Sequence, residues 1–361
     1  MKILIISLST GNGHVEAGKA LDENLKLNNP NIESLHINAA DYINDFLKIS
    51  TVDSYNFLVN YYPKLWSKFF YFFDNKKIIS SFNKTTSFLR KINANNLFKK
   101  IKEFQPDKII STHFIFNDLL LSSKYIKKNN ITIYSIVTDY YLHNIWITNG
   151  IKKYFVASEE MKKQFLKKNN LLENNVVVSG IPIKNNFYKT NLDLPNLNLK
   201  LNNNPYILIM AGSCGKKYTE KILNELNKNY NNNLNIITVC GKNKKLFKKI
   251  NKIKFNKNLN IINFNFTDKI PELMQISKLI ISKSGGLTTT EAIVSNTPLL
   301  VVKPIPGQEE ANARYTVKND YGKLIKNKND IIKYINFYCQ KDKKKIEYKN
   351  SAKIIIENIL K

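Results

Sequence analysis

Short apolar runs alternate with longer amphipathic stretches along almost the whole chain, and that succession admits few architectures. The sequence predicts strands at 2–7, 34–38, 108–112, 131–137, 153–156 and 176–179, then a second series at 206–210, 235–240, 259–264, 278–282 and 298–302. Helical patterns fill most of the gaps, as at 14–27 and 287–294. Strand, helix, strand in regular order implies α/β architecture, with parallel sheets covered on both faces and ligands at the carboxyl ends of the strands. Residues 189–205, rich in Asn, Leu and Pro and lacking a clear period, read as a linker. The expected organisation is therefore an N-terminal domain over 1–188 and a C-terminal domain over 206–344, two Rossmann-like units facing each other across a cleft. The length of 361 residues agrees with about two domains.

The charge balance narrows the choice of partners. Lys and Arg total 56 against 28 acidic residues, a formal charge of +28, yet only Arg90 and Arg314 are arginine. Asn is about as abundant as Lys, so codon bias in an AT-rich genome accounts for part of the excess. The other reading is a polyanion partner. Arginine is the residue suited to bidentate phosphate and base recognition, so its scarcity argues against nucleic acid and leaves an anionic membrane surface. Cys214, Cys240 and Cys339 form no CxxC pair, which suits a reducing compartment. No apolar run reaches the roughly 18 residues of a membrane span. The start of the chain reads as a buried strand and not as a signal peptide. A cytoplasmic protein, peripheral on the inner face of the cell membrane, is the expectation.

One segment breaks the α/β rhythm. Tyr55, Phe57, Tyr61, Tyr62, Trp66, Phe69, Phe70, Tyr71, Phe72 and Phe73 crowd residues 54–73, with Lys64, Lys68, Lys76 and Lys77 among or just after them. That is more aromatic surface than one helix face needs to bury. Aromatic bodies ringed by lysines suit the membrane–water boundary.

Gly11-Asn12-Gly13-His14 follows the first strand and opens a helix. A dinucleotide fingerprint requires a third glycine where Glu16 stands, and a phosphate-binding loop built on Gly13, Gly18 and Lys19 would need Ser or Thr in place of Ala20. The remaining readings are a structural histidine or a general base, because the positive end of a helix keeps an imidazole neutral. Further on, Thr138-Asp139-Tyr140-Tyr141-Leu142-His143-Asn144-Ile145-Trp146 ends another apolar strand. Asp139 is either a cap or the carboxylate that orients an imidazole, His143 or His14. His36, His113 and His143 lack paired ligand spacing, so no metal site is expected.

The second series carries its own glycine turns. Gly212 and Ser213 follow one predicted strand and Gly241 the next. Gly285-Gly286-Leu287-Thr288-Thr289 begins a helix whose free N–H groups suit a diphosphate. Glu291, about one turn on, suits the two hydroxyls of a ribose, while Gln308, Glu309 and Asn312 on a Pro/Gly turn offer what a sugar ring needs. Diphosphate, ribose and sugar in that order describe a nucleotide-sugar.

Gly11–His14, Thr138-Asp139 with His143 and Trp146, Gly180-Ile181-Pro182-Ile183, Met210–Gly215, Cys240–Asn243, Gly285–Ala292 and Pro304–Asn312 together resemble glycosyltransferase family 28. Within it the chain is similar to the bacterial processive diacylglycerol glucosyltransferases and the plant monogalactosyldiacylglycerol synthases. The resemblance implies a GT-B fold, with a helix over 345–361 crossing back onto the first domain, and a UDP-hexose (glucose before galactose) transferred to diacylglycerol with inversion. No cofactor is expected beyond the co-substrate, and no nucleic-acid partner. It implies His14 as the base with Asp139 beside it. It puts Gly212, Ser213, Gly241, Phe266, Gly286, Leu287, Thr288, Thr289, Glu291, Gln308, Glu309 and Asn312 on the donor, with the Phe266 backbone at the uracil. Gly13, His143, Trp146, Tyr62, Trp66, Phe69 and Phe70 go to the acceptor and membrane. Alternatives on the same fold are a UDP-GlcNAc transferase of the peptidoglycan type and a UDP-sugar epimerase; outside enzymes, a basic membrane- or nucleic-acid-binding module.

Overall fold

In the computed structural model, residues 1–75, 77–79, 93–168, 172–189, 202–327, 330–343 and 345–361 are described. The first strand, β1 (Lys2–Ser7), is apolar without a break from Ile3 to Ile6 because both of its faces are covered. Ile3 and Ile5 enter one hydrophobic cluster and Leu4 and Ile6 another, as the two-residue period of a strand requires. β2 (Glu33–Asn38), β3 (Lys108–Ser111), β4 (Thr132–Ile136), β5 (Lys153–Val156) and β6 (Val176–Val178) complete a six-stranded sheet in the order β2-β1-β3-β4-β5-β6. Every pairing in it is parallel.

A second six-stranded parallel sheet contains β7 (Tyr206–Ile209), β8 (Leu234–Val239), β9 (Leu259–Phe264), β10 (Leu279–Ser282), β11 (Leu299–Val301) and β12 (Gly322–Leu324), ordered β12-β11-β10-β7-β8-β9. The sequence pattern misses β12, which is too short to show a period. It pairs with β11 because Gly322 lies against the Leu299 backbone, where a β-carbon would overlap the Leu299 carbonyl.

In each sheet the strand order reverses once, between β1 and β3 in the first and between β7 and β10 in the second. Such reversals open a crevice at the carboxyl ends of the strands. The helix α1 (Gly13–Asn28) starts at the first reversal, after Gly11 has turned the chain at φ 92°. Gly18, in the middle of α1, has no phosphate-binding geometry to serve. A β-carbon there would run into Ser7 Oγ and His36 Nε2, so its role is the close approach of the helix to β1 and β2.

The aromatic segment forms two short helices, α2 (Ser54–Tyr61) and α3 (Pro63–Phe72), broken at Tyr62 because the residue before a proline is held out of helical geometry. The remaining helices used below are α4 (Gly286–Val294), α5 (Gln308–Lys318) and α6 (Ser351–Leu360).

The chain forms two compact units. One comprises Met1–Asn185, Ile305–Ala311 and Lys349–Lys361; the other comprises Asn186–Pro304 and Asn312–Tyr348. This departs from the expected segments in two respects. The first unit ends at Asn185 and not at residue 188, and the turn carrying Gln308 and Glu309 belongs to it. Most of the expected linker lies outside the described residues. Helix α6 packs Ala352, Ile355, Ile356 and Ile359 against Ile3, Ile5, Leu25, Ile110 and Phe155 of the first sheet. Each of these isoleucines removed from water contributes on the order of 1.5–3 kcal/mol.

Candidate active site

His14 occupies the first turn of α1, and two neighbouring strand ends fix its ring. Nδ1 lies 2.7 Å from the Thr112 carbonyl oxygen, just past β3, and 2.9 Å from Thr138 Oγ1, past β4. A carbonyl oxygen only accepts, so Nδ1 carries the hydrogen and Nε2 is left with a bare lone pair. The Ser7 and Thr112 hydroxyls donate to the His14 carbonyl and hold the backbone below the ring. Burial pushes the His14 pKa below the ordinary histidine value of 6.5, partly opposed by the negative charge of Asp139 and by the Thr112 carbonyl. The imidazole is therefore neutral at neutral pH, able to accept a proton.

Beside it opens a cavity of about 430 Å³, walled by Leu47, Tyr55, Leu58, Trp66, Phe69, Phe70, Phe73, Phe114, Ile115 and Trp146. Its polar lining includes His14, His113, Asp139, His143 and Gln308. Trp146 is buried with its ring 6.3 Å from that of His14. The Trp66 indole nitrogen is buried without a hydrogen-bond partner among the described residues. Away from the cavity, the same segment exposes Phe57, Tyr61, Tyr62, Leu65, Tyr71 and Phe72. Lys64 and Lys68 are exposed among them.

Five sequence expectations change here. Asp139 does not orient the His14 ring, whose Nδ1 is taken by Thr112 and Thr138; it acts on His14 through its charge and accepts a hydrogen bond from Gln308 Nε2 at 2.8 Å. Gln308, expected on the donor sugar, is thus tied to the cavity beside His14. Glu309 bonds the Ile305 N–H, and Glu310 bonds the Gly307 N–H, so these acids close the start of α5. That turn needs glycine at 307, where φ is 88° and a β-carbon would come within 2.8 Å of the Phe70 ring. His143 is engaged at both nitrogens, Nε2 donating to the Phe70 carbonyl and Nδ1 accepting from the Ile145 N–H. It pins α3 to the loop after β4 and has no free nitrogen for an acceptor. Asn312 falls in the second unit and is wholly buried.

Sequence reasoning assigned no role to three contributors, Thr112, His113 and Thr138, although it singled out the motif that Thr138 opens. The available signal is position: each stands one or two residues beyond an apolar strand that neighbours β1 or β3 in the sheet.

In the second unit, the predicted donor residues collect at one edge, since parallel strands send all their carboxyl ends the same way. Gly212 and Ser213 follow β7, Gly241 follows β8, Phe266 follows β9, and Gly286 to Thr289 follow β10. Ser213 Oγ lies 2.8 Å from Ser282 Oγ, joining the two strands that flank the reversal. A β-carbon on Gly212 would meet the Cys240 carbonyl at 2.9 Å, so only glycine lets these two turns pack. Gly241 has φ 58°. Helix α4 has no side-chain cap, and the first amides of a helix have no intrahelical partner, which suits an anion. The Thr289 hydroxyl is buried without a partner among the described residues. Glu291 is partly exposed and Phe266 largely so.

Residues 14–183 match the family described as monogalactosyldiacylglycerol (MGDG) synthase, and residues 206–358 match the glycosyltransferase family 28 C-terminal domain. A processive diacylglycerol beta-glucosyltransferase of Staphylococcus aureus (strain bovine RF122 / ET3-1) is 32% identical over 343 residues, covering 92% of this chain and 83% of that protein. Among solved structures, MurG of Acinetobacter baumannii has a TM-score of 0.58 at 14% identity, over 100% of this chain and 99% of that one. The UDP-GlcNAc 2-epimerase of Neisseria meningitidis, bound to UDP-GlcNAc, has a TM-score of 0.56 at 18% identity over the whole of both chains. At these identities the structural likeness is one of fold, the GT-B fold.

Proposed function

The chain belongs to glycosyltransferase family 28, and from that premise we propose that it moves a hexose, glucose before galactose, from a UDP-sugar to the 3-hydroxyl of diacylglycerol. The observation that carries this reading is the apolar cavity that ends on a neutral, tautomer-fixed histidine. An acyl-bearing alcohol fits its walls, and the buried Trp66 N–H suits an ester carbonyl. The acceptor hydroxyl is a poor acid. His14 Nε2 takes its proton as the oxygen bonds to the anomeric carbon, and the bond to the diphosphate breaks on the opposite side, inverting the centre. Such base catalysis contributes about 10²–10⁴-fold. The leaving UDP carries the electron pair, and its charge is met by the uncapped amides and positive end of α4. Glu291 holds the ribose, and no metal forms part of the proposal.

The exposed aromatics of α2 and α3 rest in an anionic membrane surface from the cytoplasmic side, each nearby lysine adding about 1 kcal/mol. Among the described residues no helix is long and apolar enough to cross a bilayer. UDP-glucose, UDP-galactose and UDP-GlcNAc, each radiolabelled and supplied separately with diacylglycerol vesicles, test the reading. Labelled glucosyl lipid is expected. Label appearing only with UDP-GlcNAc, or donor converted to an epimer without acceptor, contradicts it.

A further inference from the structure

His113 stands two residues past β3, across the strand reversal from His14, and the two rings meet edge-on with centroids 4.5 Å apart. Backbone groups set their protons in opposite senses. The Thr112 carbonyl leaves His14 with Nδ1–H and a bare Nε2. The Ile115 N–H points to His113 Nδ1 at 3.3 Å and can only donate, so His113 has a bare Nδ1 and carries its hydrogen on Nε2. Both rings line the cavity, and among the described residues neither Nε2 has a hydrogen-bond partner. Burial holds both pKa values down, His113 well below 6.5, so both rings are neutral near pH 7.

We infer that His113 is a catalytic residue of the transfer, its Nε2–H donating to the acceptor's hydroxyl oxygen while the hydroxyl hydrogen points to His14 Nε2. The inference rests on His14 being the base. An alcohol has one hydrogen to give and lone pairs to receive, so a bare nitrogen beside an N–H matches it on both counts and leaves a lone pair for the sugar. An ionised carboxylate or phosphate has no hydrogen for His14, and the pair selects against it. During transfer the hydroxyl proton passes to His14 Nε2, the C–O bond to the sugar forms, the bond to UDP breaks with its electron pair, and His113 keeps its proton. The gain is orientation of the attacking oxygen.

The test uses the full chain with UDP-glucose and diacylglycerol vesicles. His113→Leu removes the donor, and His113→Gln keeps an N–H at similar reach. His113→Leu is expected to lower kcat/KM for diacylglycerol at least about ten-fold, with UDP affinity by calorimetry unchanged and most of the loss recovered in His113→Gln. No loss in His113→Leu, or equal loss in both variants, overturns the inference. Nitrogen NMR of the histidine-labelled parent reads the same claim without turnover: Nδ1–H on His14 and Nε2–H on His113 are expected near pH 7. Finding Nδ1–H on His113 overturns it even if the leucine variant fails to fold. An active His14→Ala removes the base assignment instead, whereas an inactive His14→Ala with a normal His113→Leu removes this inference alone.

Discussion

His14 is legible in the sequence because strand, glycine turn and helix leave few places for a residue at position 14, and a helix start disfavours its charged form. What fixes its ring is not legible. Thr112 and Thr138 lie 98 and 124 residues away in sequence, and only the β1-β3-β4 adjacency brings them to Nδ1. The expectation for Asp139 erred for the same reason, since a Thr-Asp pair at a strand end does not say which of the two meets the imidazole. Glu291 belongs to this scale as well. Glu291→Ala is expected to weaken UDP binding about ten-fold or more in calorimetry, in line with losing hydrogen bonds to a charged group, while vesicle binding is retained. UDP affinity unchanged in that variant would remove Glu291 from the donor site and favour the binding-module alternative.

Helices α2 and α3 show what composition reveals and what it hides. The excess of aromatic residues was readable, and the structure divides it between a cavity wall, with Tyr55, Trp66, Phe70 and Phe73, and an outer surface, with Tyr61, Tyr62 and Phe72. The turn at Ile305–Ala311 was read for its chemistry alone. Its packing depends on Gly307 sitting against Phe70, and a linear motif does not record which unit such a turn will join. Because Tyr61 and Phe72 are 71% and 57% exposed, replacing both with serine costs the fold little. The double variant is expected to cosediment with anionic vesicles several-fold less than the parent while melting at the same temperature. Undiminished cosedimentation would place the membrane contact elsewhere.

Both sheets were readable in outline, since buried parallel strands appear as continuous apolar runs. The exceptions are short or shaped by distant partners: β12, held by a glycine contact, and the buried Asn312. A property of the whole molecule follows from its histidines. His14, His36 and His113 all have pKa values lowered by burial in the folded chain. Below about pH 6.5 the unfolded chain therefore binds more protons than the folded one, and stability falls as pH falls from there. Scanning calorimetry is expected to show a melting temperature that drops between about pH 7 and pH 5.5; a flat profile would mean these rings are not held neutral.

The most direct measurement compares His14→Ala with the parent in two readouts, the initial rate of glycosyl-lipid formation and UDP affinity. Transfer is expected to fall at least about 10²-fold with UDP binding intact. Transfer at the parent rate would contradict the account at its centre.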